Sequence, residues 1–250
     1  MTRLSVNLNK IALLRNSREG NYPSLTDHAI TCLEAGCHGI TIHPRPDQRH
    51  IRPGDAQQIK DLLQKWPNAE FNMEGNPFSH SQGSYPGFIQ LVLQNKPEQC
   101  TLVPDSTDQL TSDHGFNLKH SAEKLAPIIQ QLQAEGIRVS LFMDPDLEQI
   151  RLAQAIGADR IELYTGPYAA AWGNPEALNT LFPKFQAAAE EALKLGLGLN
   201  AGHDLNLDNL GYFKSLPGLL EVSIGHALIV DAIRMGLVTT VQAYLEILAD

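Results

Sequence analysis

Short β-rich runs alternate with amphipathic helical stretches along the chain, and this regular rhythm limits the fold more than any single motif. Parallel strands joined by crossover helices produce it. Eight such runs stand at Leu4 to Leu8, Gly39 to His43, Phe71 to Met73, Thr101 to Val103, Arg138 to Met143, Arg160 to Tyr164, Gly198 to Asn200 and Glu221 to Ile224. Helical patterns follow them at Thr26 to Ala35, Asp55 to Lys65, Tyr85 to Gln94, Ala122 to Glu135, Leu147 to Ile156, Glu176 to Leu195, Leu207 to Leu216 and Ala227 to Met235, and a last one spans Thr240 to Leu248. Gly136, Gly157 and Gly196 sit between helix and strand, where a left-handed C-cap suits glycine. Ser24 and Asp146 are placed as N-caps.

Length agrees with this pattern. The chain has 250 residues, and one (β/α)8 barrel takes about 250. The sequence therefore predicts an α/β fold of the TIM-barrel class, with residues 1–250 forming one catalytic domain. An open doubly wound sheet would show a glycine-rich fingerprint after its first strand; Asn7-Leu8-Asn9-Lys10 has none. The longest stretch without periodicity, Pro104 to His120, reads as an active-site loop.

Net charge is −9 with only 19 Lys and Arg, so no long-range positive field is available to gather nucleic acid or an anionic membrane. Any anionic substrate must be held by local groups. Cys32, Cys37 and Cys100 form no CxxC pair and are expected in the core. No run of 18 or more apolar residues occurs, and a cytoplasmic enzyme is expected.

Active sites of such barrels form at the C-terminal strand ends. Here those ends carry Asn7, Asn9 and Lys10, then His43 and Arg45, then Glu74, Glu162, His203 and His226. Histidines, carboxylates and an arginine on one rim suit proton transfer around bound anions. Each residue alone also has a bland reading, as an ion-pair partner or a surface group, and Glu162 is expected to orient a neighbour. Gly202-His203 and Gly225-His226 fall after strands seven and eight, where barrels hold phosphate with backbone N–H groups and a helix N-terminus. Arg45, Arg49, His50 and Arg52 form a basic cluster after strand two, and Arg18 is a second candidate clamp. Glu74 is expected to have its pKa raised by burial.

The stretches Val6 to Ala12, Leu14-Arg15-Asn16, Gly39 to Arg45 with Arg49-His50-Ile51, Asn200 to His203 and Ile224 to Ala227 together resemble the pyridoxine 5'-phosphate synthase (PdxJ) family, collinearly over nearly the whole chain. So do Leu102-Val103-Pro104, Val139 to Phe142 and Glu162 to Gly166. The resemblance implies the joining of 3-amino-2-oxopropyl phosphate to 1-deoxy-D-xylulose 5-phosphate, with loss of phosphate and water, in vitamin B6 biosynthesis. It implies His43 and Glu74 as proton acceptors and His203 as proton donor. It further implies Arg45, His50 and Thr111 at the pentulose phosphate, and Asn7, Arg18, Gly225 and His226 at the aminoketone phosphate. The family uses no bound organic cofactor and assembles as a cytoplasmic octamer of barrels with extra helices.

Two positions depart from the family pattern. Asn9 and Lys10, expected near the pentulose, stand where an Asp-His pair is common, and Asp204 follows His203 where glycine is common. Asp204 is expected to turn its backbone N–H toward the phosphate and its side chain outward or into a helix cap. The rival readings are a metal-dependent barrel using His43, Glu74, His203 and His226, which lacks a His-x-His pair on strand one, and a non-catalytic binding barrel.

Overall fold

The structure, a computed structural model, describes residues 1–106 and 108–249. Among the described residues eight parallel strands close into a barrel in chain order. They are β1 (Arg3–Asn7), β2 (Gly39–Ile42), β3 (Glu70–Gly75), β4 (Gln99–Leu102), β5 (Arg138–Met143), β6 (Arg160–Tyr164), β7 (Gly198–His203) and β8 (Leu219–Ile224). The helices are α1 (Asn9–Asn16), α2 (Leu25–Glu34), α3 (Pro53–Leu63), α4 (Phe88–Asn95), α5 (Leu118–Ala134), α6 (Leu147–Ala155), α7 (Gly166–Ala171), α8 (Pro175–Lys194), α9 (Leu210–Phe213), α10 (His226–Met235) and α11 (Leu237–Ala249). None is long and apolar enough to cross a membrane.

The strands alternate polar and apolar, as in Glu70-Phe71-Asn72-Met73-Glu74. Leu4, Val6, Ile40, Phe71, Leu141, Ile161 and Val222 are buried and belong to the apolar cluster shared with the surrounding helices. The intervening polar residues bond between strands that are not neighbours, which only the barrel interior allows. Gln99 Nε2 on β4 donates to Glu221 Oε1 on β8 at 3.2 Å, Ser223 Oγ on β8 to Glu74 Oε1 on β3 at 3.1 Å, and Thr101 Oγ1 on β4 to Glu162 Oε2 on β6 at 3.4 Å. Hydrogen bonds thus fill a centre that bulky aliphatic side chains fill in many barrels.

Several boundaries differ from the sequence-based expectation. Asn9 and Lys10 open α1 instead of lying in a loop. α4 begins at Phe88, not Tyr85, because Pro86 and Gly87 intervene and Gly87 has φ 102°. α5 begins at Leu118, capped by the Asn117 side chain, so the non-periodic stretch narrows to 103–117; its residue Thr107 lies outside the described residues. The pattern at Leu207 to Leu216 yields only the short α9. Ser24 and Asp146 do cap α2 and α6, the left-handed glycines at 136, 157 and 196 are present, and the three cysteines are free and buried.

α1 is tied down by charge. Arg15, 1% exposed, donates from Nη1 and Nη2 to both oxygens of Asp55 at 2.7 and 2.9 Å and from Nη2 to the His50 carbonyl at 2.9 Å. Asp55 in turn accepts the Arg52 N–H at the start of α3. Arg15→Met would leave that carboxylate buried without its partner, so a destabilisation of about 3–5 kcal/mol is expected. Denaturant unfolding checks it, and a change below about 1 kcal/mol would contradict it.

Candidate active site

A cavity of ≈ 340 Å³ opens at the C-terminal ends of the strands. Its wall takes in Asn7, Asn9, Lys10, His43, Arg45, His50, Glu74, Thr111, Glu162, His203, Asp204, Gly225 and His226, so nearly all the residues singled out from the sequence meet in one place. Arg18 does not join them: it is exposed beyond α1 and does not line the cavity. Gly202 is not on the wall either. A Cβ there would lie 2.5 Å from the Ser223 carbonyl oxygen and 2.8 Å from Glu162 Oε1, so this glycine makes room for barrel packing, and no helix starts beside it.

Glu74 lies inside β3, not past its end, and is buried. Asn7 Nδ2 donates to its Oε2 at 3.2 Å, and Ser223 Oγ donates to its Oε1. Burial pushes its carboxyl well above the usual carboxylate range, and the nearby Glu221 and Asp105 charges add to this, against the Ser223 hydrogen bond. Glu162 is raised too, by burial first and by Glu74 next.

His43 follows β2, and its backbone N–H donates to Asn9 Oδ1 at 2.9 Å. Asn9 therefore braces the loop that carries His43. Nδ1 of the ring lies 3.8 Å from Glu74 Oε2, and Nε2 lies 3.3 Å from Asp105 Oδ2. Burial lowers the His43 pKa more than Asp105 raises it. Arg45 is buried, with Nη2 2.5 Å from Asp105 Oδ2. His50 is pushed down to about 2, by burial first and then by His43, Arg45 and other cations. It is neutral, and because Nδ1 accepts the Ile51 N–H at 2.9 Å, Nε2 carries the proton and can donate to a ligand.

On the opposite side β7 ends in His203 at φ 78°, a conformation that costs energy outside glycine and concentrates at functional sites. Nδ1 stands 2.8 Å from Asp204 Oδ2 and Nε2 2.6 Å from Thr111 Oγ1. The expectation for Asp204 is corrected: its side chain turns onto His203, its N–H donates to Thr165 Oγ1 at 3.3 Å, and it caps no helix. His203 thus combines a positive φ with the side chain of its neighbour Asp204 on its ring. Gly225 precedes α10, where a Cβ would press on Asn7 at 3.1 Å, and His226 is the exposed first residue of that helix.

Asp105, Ser112, Phe142 and Ser223 also line the site or hold its walls; none was singled out from the sequence, although Asp105 and Ser112 fall in the stretch read as an active-site loop. Asp105 stands directly beyond β4, so the strand-end rule applied to that strand would have found it. Among the described residues, no group of three or more His, Cys, Asp and Glu is placed to hold a metal ion.

The family model described as pyridoxal phosphate biosynthesis protein PdxJ matches residues 4–250. The chain belongs to this family. A pyridoxine 5'-phosphate synthase of Albidiferax ferrireducens is 54% identical over 250 residues, covering 100% of this chain and 98% of the relative. One of Xanthomonas oryzae pv. oryzae is 53% identical over 248 residues, covering 99% and 96%. Among solved structures, KGPDC from Streptococcus mutans aligns with TM-score 0.61 at 10% identity over 99% of this chain and 97% of its own, and a protein of Aquifex aeolicus VF5 with TM-score 0.63 at 13% identity over 98% and 93%. These two show the barrel fold that the PdxJ chain shares with them.

Proposed function

We propose that the rim cavity carries out pyridoxine 5'-phosphate synthesis, condensing 3-amino-2-oxopropyl phosphate with 1-deoxy-D-xylulose 5-phosphate and releasing phosphate and water. The observation that carries this reading is the facing of His43 and Glu74 across one cavity by His203. Amine addition, dehydration, phosphate elimination and ring closure need protons taken and returned repeatedly beside two phosphates. His43 and Glu74 take them and His203 returns them. Arg45, His50 and Thr111 hold the pentulose phosphate with Asn9 and Lys10 beside it. Asn7, Gly225 and His226 hold the aminoketone phosphate at the N-terminus of α10, with Asp204 keeping His203 in place. Arg18 stands outside this wall. Holding both substrates in one mouth turns an encounter into an oriented reaction.

The reading includes one catalytic domain, a cytoplasmic location and an octameric assembly. Mixing purified protein with both substrates and following pyridoxine 5'-phosphate and free phosphate, before and after chelation, tests the function. Equal product is expected in both cases. No product, or activity that needs a stoichiometric ion, would overturn it in favour of the metal-dependent reading.

Gly225→Val tests the phosphate site. Added bulk against Asn7 should weaken apparent affinity for the aminoketone phosphate by about tenfold or more, since one hydrogen bond to a charged group is worth ~1.5–3 kcal/mol. Titration calorimetry with that substrate checks it, and unchanged affinity would remove Gly225 from the site.

A further inference from the structure

We propose that Asp105, in the segment between β4 and α5, is a positioning residue that holds the His43 ring with its proton on Nε2 and so makes Nδ1 the nitrogen that exchanges protons. The inference rests on the reading of His43 as a proton acceptor. Asp105 is 4% exposed. Its Oδ2 is met by His43 Nε2 at 3.3 Å, by Arg45 Nη2 at 2.5 Å and by Ser112 Oγ, which donates at 3.1 Å. Its backbone carbonyl accepts from Asn76 Nδ2 at 2.5 Å, so main chain and side chain are both fixed.

An ionised carboxylate only accepts hydrogen bonds. Burial alone would raise the Asp105 pKa, but His43, Arg45 and Ser112 outweigh it and hold the carboxyl below its ordinary range. The neutral ring turned toward this carboxylate must therefore carry its proton on Nε2. That leaves the Nδ1 lone pair 3.8 Å from Glu74 Oε2, which places the two acceptors side by side. A carboxylate that sets the tautomer of a catalytic imidazole acts without touching substrate. Asp105 also compensates the buried Arg45 charge, so the phosphate clamp and the base share one anchor.

Asp105→Asn keeps the size of the side chain and an oxygen for Arg45 but removes the negative charge that fixes the Nε2 proton of His43. Expected is a fall in kcat of about 10²-fold to 10⁴-fold, with KM for the pentulose phosphate raised by no more than about threefold, because Arg45 loses a competitor for its guanidinium. The groups facing His43 are Asp105, Arg45, Glu74, His50 and His203. Asp105 raises both His43 and Glu74, so its neutralisation should move the acid limb of kcat/KM to lower pH, a shift that a packing role would not cause. Nitrogen NMR of histidine-labelled wild-type protein, assigned with His43→Gln, reads the tautomer directly and needs no Asp105 variant to fold. A proton on Nε2 is expected. A proton on Nδ1, an Asp105→Asn enzyme with unchanged kcat, or a loss confined to KM with the acid limb unmoved would each overturn the inference. If His43→Gln keeps full turnover, the acceptor reading itself fails, while the NMR result still decides the tautomer.

Discussion

Glu74→Gln is expected to lower kcat by about 10²-fold to 10⁴-fold, the usual worth of a positioned acid or base, while the protein stays folded. The amide has the shape of the carboxyl and keeps an oxygen that accepts from Ser223 Oγ or Asn7 Nδ2, but it cannot take a proton. Removing a buried carboxyl whose ionisation is opposed by burial and by Glu221 also relieves a cost in the barrel, so the thermal midpoint should not fall. The pH dependence follows in sign. A carboxyl raised above its ordinary range is protonated at low pH and becomes a base only as pH rises through its elevated pKa. Wild-type kcat/KM should therefore climb through neutrality, above the range of an ordinary glutamate, and the Gln variant should lose that limb. Steady-state kinetics across pH checks both, and near wild-type turnover at saturating substrate would remove Glu74 from the chemistry.

His203→Asn is expected to cause a loss of similar size, about 10²-fold to 10⁴-fold in kcat, with both substrates still bound. β3 and β7 stand opposite each other in the closed strand order, so Glu74 and His203 line the cavity from two sides. One side can accept protons while the other supplies them. Asparagine tolerates positive φ better than most residues, so the backbone at φ 78° accepts the change and the loss reports the missing imidazole. Asp204 would then lose its partner without being buried, and only a modest stability change is expected. Binding measured beside single-turnover kinetics separates the roles. Weakened binding with intact turnover per bound complex would make His203 a ligand-holding residue.

The barrel was legible because each strand keeps its period of two and each long helix its apolar face. α1 was not, since Leu8 offers no capping side chain and Ile11 to Leu14 run apolar without a helical break; its anchor, Asp55, is remote in sequence. α7 is only six residues long and opens on Gly-Pro, which reads as a turn. His43, Glu74 and His203 could be found because barrel geometry alone sends strand-end residues to one rim. Asp105 could not be linked to His43 from sequence, because that link depends on how the segment after β4 folds back over β2. Gly202 was misread for a similar reason: the atoms that demand a glycine belong to Ser223 and Glu162 on neighbouring strands. The Asp204 side chain turns onto the His203 ring, which only the folded chain reveals.

A crystal structure with pyridoxine 5'-phosphate bound tests the central claim most directly. The account predicts the pyridine ring in the rim cavity, within hydrogen-bond reach of His43 or Glu74 on one side and of His203 on the other, with its phosphate against Arg45 and His50 or against Gly225 and His226. A product bound outside this cavity, or inside it with the ring beyond reach of all three proton-transfer residues, would contradict the account.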